Sequence, residues 1–281
     1  MHRSDVLVSA AELAELLEGE KPPLLLDVRW RLDQPDGSAD YRAGHIPGAR
    51  YVSLEAVLAE HGPATAGRHP LPSTQRLQRE LARLGVTADR ELIAYDNSGG
   101  WAAARAWWVL RNAGLSIRIL DGGLPAWLAA GGALASGDED WIPAEPIELT
   151  ASTLAQLDID AAAELARAGR LLDARAPERY RGEVEPLDPR AGHIPGALNA
   201  PVANVFDEHG RYRSSEELRA LFTQHALGDG QVGVYCGSGV SATPVIIALL
   251  LAGAEPALYP GSWSQWSNHP ERPIETGTRA S

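Results

Sequence analysis

The amino-acid sequence contains one internal repeat, which constrains the fold more than any other feature. The run LLDVR at residues 25–29 returns as LLDAR at residues 171–175, and GHIPGA at 44–49 returns unchanged at 192–197. Two later pairs follow in the same order, LIAYDNSGG with VGVYCGSG and ILDGGLPAW with LYPGSWSQW. Because self-similarity at a regular spacing indicates duplicated structural units, we expect the 281 residues to form two copies of one domain.

Each copy has the sequence pattern of a parallel α/β sheet. Short apolar runs without alternation, such as LLLDV, LIAYD and VGVYC, are typical of strands buried on both faces. Helical patterns separate them, one with Ser73 as N-cap and Gly85 as stop, another with a capping box of Ser214 and Glu217. The prediction is an α/β fold with helices on both faces of each sheet and ligands beyond the carboxyl ends of the strands.

The segment between the two copies has the composition of a linker. It reads SGDEDWIPAEPIELTAS, which is rich in acidic residues and proline and has no helical period. We therefore expect an N-terminal domain over residues 1–135, a linker over 136–152 and a C-terminal domain over 153–281.

Net charge and cysteine content limit the partners and the setting. A formal charge of −12 argues against nucleic acid or an acidic membrane surface, because both need a basic face. The single cysteine excludes an intramolecular disulfide and a cysteine zinc cluster, and it favours a reducing, cytoplasmic setting. No apolar run has the length of a membrane span, and the N-terminus lacks the apolar core of a signal peptide.

Cys236 ends the apolar run QVGVY and precedes a long apolar helical pattern. This order predicts a strand-to-helix turn, where backbone N–H groups and the helix N-terminus favour thiolate over thiol. Gly237 and Gly239 leave room for the backbone to fold around an anion. A lone cysteine after a buried strand is otherwise often an inert core residue. The predicted active-site loop after the cysteine comprises Gly237, Ser238, Gly239, Val240 and Ser241.

The loop also has some likeness to a phosphatase loop, in which a cysteine is followed by five residues and an arginine. The sixth position here is Ala242. Without a guanidinium to hold phosphate oxygens in a bidentate manner, phosphoryl chemistry is a poor third choice.

The motifs LLDxR, GHIPGA, a cysteine loop and GSWSQW together resemble the rhodanese superfamily across essentially the whole chain. The loop CGSGVSA is similar to that of the 3-mercaptopyruvate sulfurtransferases, whereas thiosulfate sulfurtransferases more often carry basic residues after the cysteine. The resemblance implies an enzyme whose Cys236 takes sulfur from 3-mercaptopyruvate as a persulfide. It then passes this sulfur to thioredoxin, another thiol or cyanide. No metal ion or organic cofactor is required.

Two alternatives stay open at this point. Thiosulfate is the second candidate donor, and a non-catalytic sulfur-carrier or protein-binding module is the alternative of another class. Asp96 stands in the first copy where the second has Cys236, so the N-terminal domain should be catalytically silent. The resemblance implies that this silent domain closes one wall of an active site between the domains.

The resemblance also implies roles for five further residues. Arg179 matches the arginine that holds the substrate carboxylate, and Arg190 is the candidate for the family's second arginine, in a segment that is shortened here. Ser238 is expected to pass a proton, with His69 and Glu55 as weaker candidates for its partners. Charged motifs present in both copies are expected to be structural anchors instead; these are Asp27, Arg29, His45, Asp173, Arg175 and His193.

Overall fold

The computed structural model contains two parallel sheets, one in each copy of the repeat. It describes residues 1–150, 154–223, 225 and 230–278. The N-terminal copy comprises β1 (Leu7–Val8), α1 (Ala10–Leu17), β2 (Leu24–Asp27), α2 (Ser38–Ala43), β3 (Arg50–Tyr51), α3 (Leu54–Val57), α4 (Thr74–Arg83), β4 (Leu92–Tyr95), α5 (Trp101–Asn112), β5 (Ile117–Leu120) and α6 (Gly123–Ala129).

The C-terminal copy repeats this plan with fewer strands. It comprises α7 (Ile159–Arg167), β6 (Leu171–Asp173), α8 (Pro177–Tyr180), β7 (Leu198–Asn199), α9 (Ser215–Thr223), β8 (Val232–Tyr235), α10 (Ala242–Ala252), β9 (Pro256–Leu258) and α11 (Ser262–Ser267). Single 3₁₀ turns occupy Arg3–Asp5, Ala64–Ala66 and Val202–Val205.

The strand order confirms the predicted fold class. The first sheet runs β1-β5-β4-β2-β3 and the second β7-β6-β8-β9, with every strand pair parallel. Strands β4 and β8 are internal to their sheets and buried along their whole length. Asp96 and Cys236 follow directly after them, so both loops lie at the carboxyl edge where ligands of such sheets bind.

Local capping signals produce the helix boundaries that the sequence predicts. The Ser73 side chain accepts a hydrogen bond from the N–H of Arg76 at the start of α4, and Gly85 has a φ of +64 after its end. Ser214 and Glu217 form a reciprocal capping box, with N–H to side-chain distances of 2.9 and 3.2 Å.

The charged motifs present in both copies are buried anchors, as expected. The Asp27–Arg29 and Asp173–Arg175 pairs have contacts of 2.9 and 2.6 Å. Arg29 and Arg175 also donate to the carbonyls that open the two GHIPGA loops. His45 and His193 stack on a tyrosine and bond to its carbonyl. In each copy these groups fasten a loop to a strand, which is a structural role.

The two copies share one apolar core, in which α5 and α10 pack against each other. Residues 136–150 of the predicted linker form no helix or strand, and they lie along α4 through bonds from Trp141 and Ala144 to its last turn. Residues 151 and 152 of that linker are outside the described residues, and the domain boundaries stay a prediction. No helix among the described residues is long and apolar enough to cross a membrane.

Candidate active site

The thiol of Cys236 lies at the base of the predicted strand-to-helix turn and is 1% exposed. The N–H of Gly239 donates to its Sγ at 3.1 Å. Gly239 has a φ of +78, and a Cβ there would lie 2.5 Å from the carbonyl oxygen of Pro260. Glycine at this position therefore lets the backbone turn its N–H toward the sulfur.

Helix α11, which lies in the repeated motif near the C-terminus, holds the cysteine loop through hydrogen bonds. The N–H groups of Trp263 and Ser264 in α11 donate to the carbonyls of Cys236 and Gly237 at 2.9 and 2.8 Å. The Ser262 hydroxyl accepts the N–H of Cys236 at 3.2 Å. The carbonyls of the first two loop residues are thereby occupied, and the N–H of Gly239 contacts the sulfur.

The corresponding loop of the N-terminal domain holds the carboxyl group of Asp96. The carboxylate of Asp96 accepts four backbone N–H groups at 2.9–3.1 Å, which belong to Ser98, Gly100, Ala102 and Ala103. Four donors on one carboxylate satisfy its lone pairs in the absence of water. The repeated loop is thus an anion-binding structure, and the thiol of Cys236 stands where its duplicate carries a negative charge.

A hydrogen-bonded chain crosses from the silent domain to the cysteine loop. His69 Nδ1 lies 2.8 Å from Ser238 Oγ, and His69 Nε2 lies 2.9 Å from Glu55 Oε1. The bond from His69 lowers the pKa of Glu55, so this carboxylate is ionised near neutral pH. An ionised carboxylate only accepts, so His69 Nε2 carries a proton and donates a hydrogen bond to Glu55, while Nδ1 faces the Ser238 hydroxyl. Trp30 adds a second donor to Glu55 at 3.2 Å.

Two guanidinium groups approach the loop at the residue after the cysteine. A Cβ on Gly237 would lie 3.1 Å from Nη2 of Arg68 and 3.3 Å from Nη1 of Arg179. Arg179 pairs with Glu185 at 2.6 Å, and both arginines pair with Asp188. Arg68 was missed from the sequence, although it directly precedes His69 in GRHPLP.

These groups border a cavity of about 290 Å³ between the two domains. Ser238, Val240 and Ser241 of the loop line it, with Arg68 and Arg179. The silent domain adds Trp30, Leu32 and Trp101 to its walls. The cavity therefore combines two guanidiniums beside Gly237, both paired with carboxylates, with apolar side chains of the N-terminal domain.

The structure places Arg190 elsewhere. Its guanidinium donates to four backbone carbonyls at 2.6–3.0 Å, those of Trp266, Ser267, His269 and Arg272. It is not among the residues that line the cavity. This placement differs from the expected role in substrate binding. Arg190 fastens the C-terminal segment to the domain and does not belong to the candidate site.

A second arginine that sequence reasoning missed lies at the contact between α5 and the cysteine loop. Arg105 is fully buried and donates to the carbonyl of Gly239 at 3.0 Å. The available signal was a charged residue inside the otherwise apolar run WAAARAWWVL.

Fold and site together define a class: a duplicated α/β enzyme with one cysteine on a loop at the carboxyl edge of its second sheet and a small cavity bordered by two guanidiniums. The family profile of the rhodanese-like domain matches residues 9–130 and 158–269. The chain belongs to the rhodanese family, and it is a sulfurtransferase.

Known relatives carry this architecture over nearly their full length. A Mycobacterium tuberculosis protein with the name "Putative thiosulfate sulfurtransferase SseB" is 48% identical over 280 residues, which is 98% of this chain and 99% of the relative. The human 3-mercaptopyruvate sulfurtransferase is 34% identical, with 92% of this chain and 91% of the relative covered. The crystal structure of SseA from Escherichia coli, a 3-mercaptopyruvate sulfotransferase, superposes with a TM-score of 0.80 at 33% identity, covering 92% of this chain and 98% of that one.

Proposed function

We propose that the protein takes sulfur from 3-mercaptopyruvate onto Cys236 and passes it to a thiol or cyanide acceptor. The observation that carries this proposal is the repeated loop, which donates four backbone N–H groups to a carboxylate in one copy and the N–H of Gly239 to a thiol in the other. A loop built to surround an anion suits a thiolate and, one sulfur further out, an anionic persulfide.

The loading step balances without a cofactor. The Cys236 thiolate attacks the donor sulfur, the carbon–sulfur bond breaks, and its electron pair leaves with pyruvate as the enolate. Ser238 and His69 transfer the proton of the donor thiol to the enolate carbon, which gives pyruvate and leaves the persulfide as an anion.

The unloading step restores the thiolate. A nucleophilic acceptor attacks the outer sulfur, the sulfur–sulfur bond breaks, and its electron pair returns to Cys236. Since Cys236 is the single cysteine of the sequence, no resolving thiol exists within the chain, and the acceptor must come from outside. Thioredoxin, another thiol or cyanide fulfils this chemical requirement.

The donor carboxylate is proposed to bind between Arg68 and Arg179. Both guanidiniums flank Gly237, and a cation pair is suited to a carboxylate a few atoms away from the attacked sulfur. Thiosulfate remains the second candidate donor. The cysteine loop itself has no basic residue, but Arg68 and Arg179 supply positive charge beside it.

Intact mass spectrometry after incubation with each donor tests the proposal. We expect the mass to rise by one sulfur atom, the rise to disappear in Cys236→Ser, and cyanide to reverse it. No rise with either donor would exclude the enzyme proposal and leave a binding module. Steady-state rates then rank the donors: faster turnover with thiosulfate would overturn 3-mercaptopyruvate as the preferred one.

A further inference from the structure

Arg105 is a fully buried cation in the middle of α5 of the silent domain. All its bonds are made to backbone carbonyls at 2.9–3.4 Å, namely those of Leu58, His69, Pro70 and Gly239. Among the residues that the structure describes, no carboxylate lies within ion-pair distance of it. Burial of a guanidinium without a direct counter-ion is costly and calls for a physical explanation.

The internal repeat shows that the fold itself does not need this charge. Arg105 lies nine positions after Asp96, and Val245 lies nine positions after Cys236. Val245 in α10 is also fully buried. A small apolar side chain therefore suits this helix position in the catalytic copy, and the arginine of the silent copy reaches across the interface into the loop of that copy.

The two acidic groups that act on Arg105, the thiol of Cys236 and the carboxyl group of Glu55, belong to the candidate site. Burial lowers the pKa of Arg105 to about 10, while the charges of Cys236 and Glu55 oppose this change. The guanidinium thus remains protonated near neutral pH. The other titratable groups near the loop are His69, Arg68 and Arg179, and the two arginines are paired with Glu185 and Asp188.

The carbonyls that Arg105 binds belong to three chain segments, and each segment carries a part of the candidate site. Leu58 follows α3, which carries Glu55; His69 bonds to Ser238; and Gly239 donates its N–H to the sulfur. One planar group with five donors therefore connects the backbone near each member of the proton chain to the loop that holds the sulfur.

We propose that Arg105 is a positioning residue whose buried charge stabilises the Cys236 thiolate and whose bonds hold the two domains in register at the site. The inference rests on the proposed function in that Cys236 is the nucleophile. It assigns the silent domain an electrostatic role in the chemistry, in addition to forming a wall of the cavity.

The rate of alkylation by iodoacetamide across a range of pH tests this proposal without any sulfur donor. In Arg105→Gln we expect the midpoint of the rate profile to rise by about one to two pH units, and the rate at neutral pH to fall about tenfold or more. Arg105→Lys keeps the charge and should keep the wild-type midpoint. Arg111→Gln, which removes a charge from the last turn of the same helix, is the matched control and should also keep it.

Sulfur transfer supplies the second readout. Arg105→Lys loses the planar group, so we expect a lower kcat at an unchanged midpoint. An unchanged midpoint in a folded Arg105→Gln protein would overturn the proposal, and so would an equal shift in Arg111→Gln. If Arg105→Gln fails to fold, the Arg105→Lys variant tests the proposal instead. A midpoint of its alkylation profile raised by about one pH unit, despite the retained charge, would overturn the proposal. Failure of sulfur loading would refute the proposed function and leave the alkylation profiles interpretable.

Discussion

Replacing Gly239 with alanine tests the sulfur-binding loop at one backbone position. The left-handed φ of +78 and the approach of a Cβ to within 2.5 Å of the Pro260 oxygen both oppose any side chain there. The N–H of Gly239 is also the group that donates to the sulfur of Cys236. The substitution should therefore force the loop out of the conformation that holds the sulfur.

The expected magnitude has a stability part and a rate part. A left-handed conformation costs a non-glycine residue about 1–2 kcal/mol, and displacing packed backbone costs about 1–3 kcal/mol more. We expect the free energy of unfolding to fall by about 2–5 kcal/mol in total. Removing one fixed donor from an anionic site typically slows the reaction by about 10²–10³, and sulfur loading should slow by that factor.

Gly237→Ala is the matched control, since it adds the same methyl group to the same loop. Its Cβ would meet the flexible ends of Arg68 and Arg179, and Gly237 is not among the glycines with positive φ. Its free energy of unfolding should stay within about 1 kcal/mol of the wild-type value. Displaced guanidiniums should instead raise KM for the donor.

Urea unfolding followed by tryptophan fluorescence measures the stability, and quenched-flow mass spectrometry measures sulfur loading. A Gly239→Ala protein that loads sulfur at the wild-type rate would refute the role given to this N–H. Equal loss of stability in the two variants would refute the assignment of strain to position 239.

Three further predictions concern charged groups. Arg179→Ala should raise KM for 3-mercaptopyruvate about 10–100-fold, because charge-assisted hydrogen bonds contribute about 1.5–3 kcal/mol; an unchanged KM in steady-state assays removes the residue from the donor site. Arg190→Ala should leave KM unchanged and lower the free energy of unfolding by about 1–3 kcal/mol, because four part-buried carbonyls lose their donor; a raised KM at unchanged stability would return it to the site. Glu55→Gln should remove a pH-dependent part of the stability. The bond from His69 lowers the pKa of folded Glu55 below the ordinary value of 4.5, so its contribution is full above that value and is lost as pH falls through the folded pKa. Urea midpoints should favour the wild type over Glu55→Gln at about pH 7 and converge as the pH falls below the folded pKa of Glu55; a difference that persists in acid contradicts this origin.

Local patterns in the sequence were sufficient for much of the fold. The buried strands and the capping box of Ser214 and Glu217 depend on residues close together in the chain, and such short-range patterns are visible in the sequence. The repeat relates segments far apart in the chain, but comparing the sequence with itself is enough to find it. The position of Cys236 after an internal strand followed in the same way. Its comparison with Asp96 required only that the two copies be aligned.

The remaining part of the site depends on which residues meet across the domain interface. Ser238 and His69 are 169 positions apart, and no periodicity relates them. The sequence suggested Arg190 and not Arg68 as the second substrate arginine, and the structure placed Arg190 against backbone carbonyls and Arg68 beside Gly237. A guanidinium on a long flexible side chain can reach acceptors in many directions, so its partner is decided by packing.

The sequence by itself therefore determined a duplicated parallel α/β chain with one thiol on a loop that suits an anion. Only the tertiary structure decided how the silent domain contributes to that loop, through His69, Arg68 and the buried Arg105. The physical reason is that charge and hydrogen-bond geometry act through space, over a few ångströms, between segments that the chain keeps far apart.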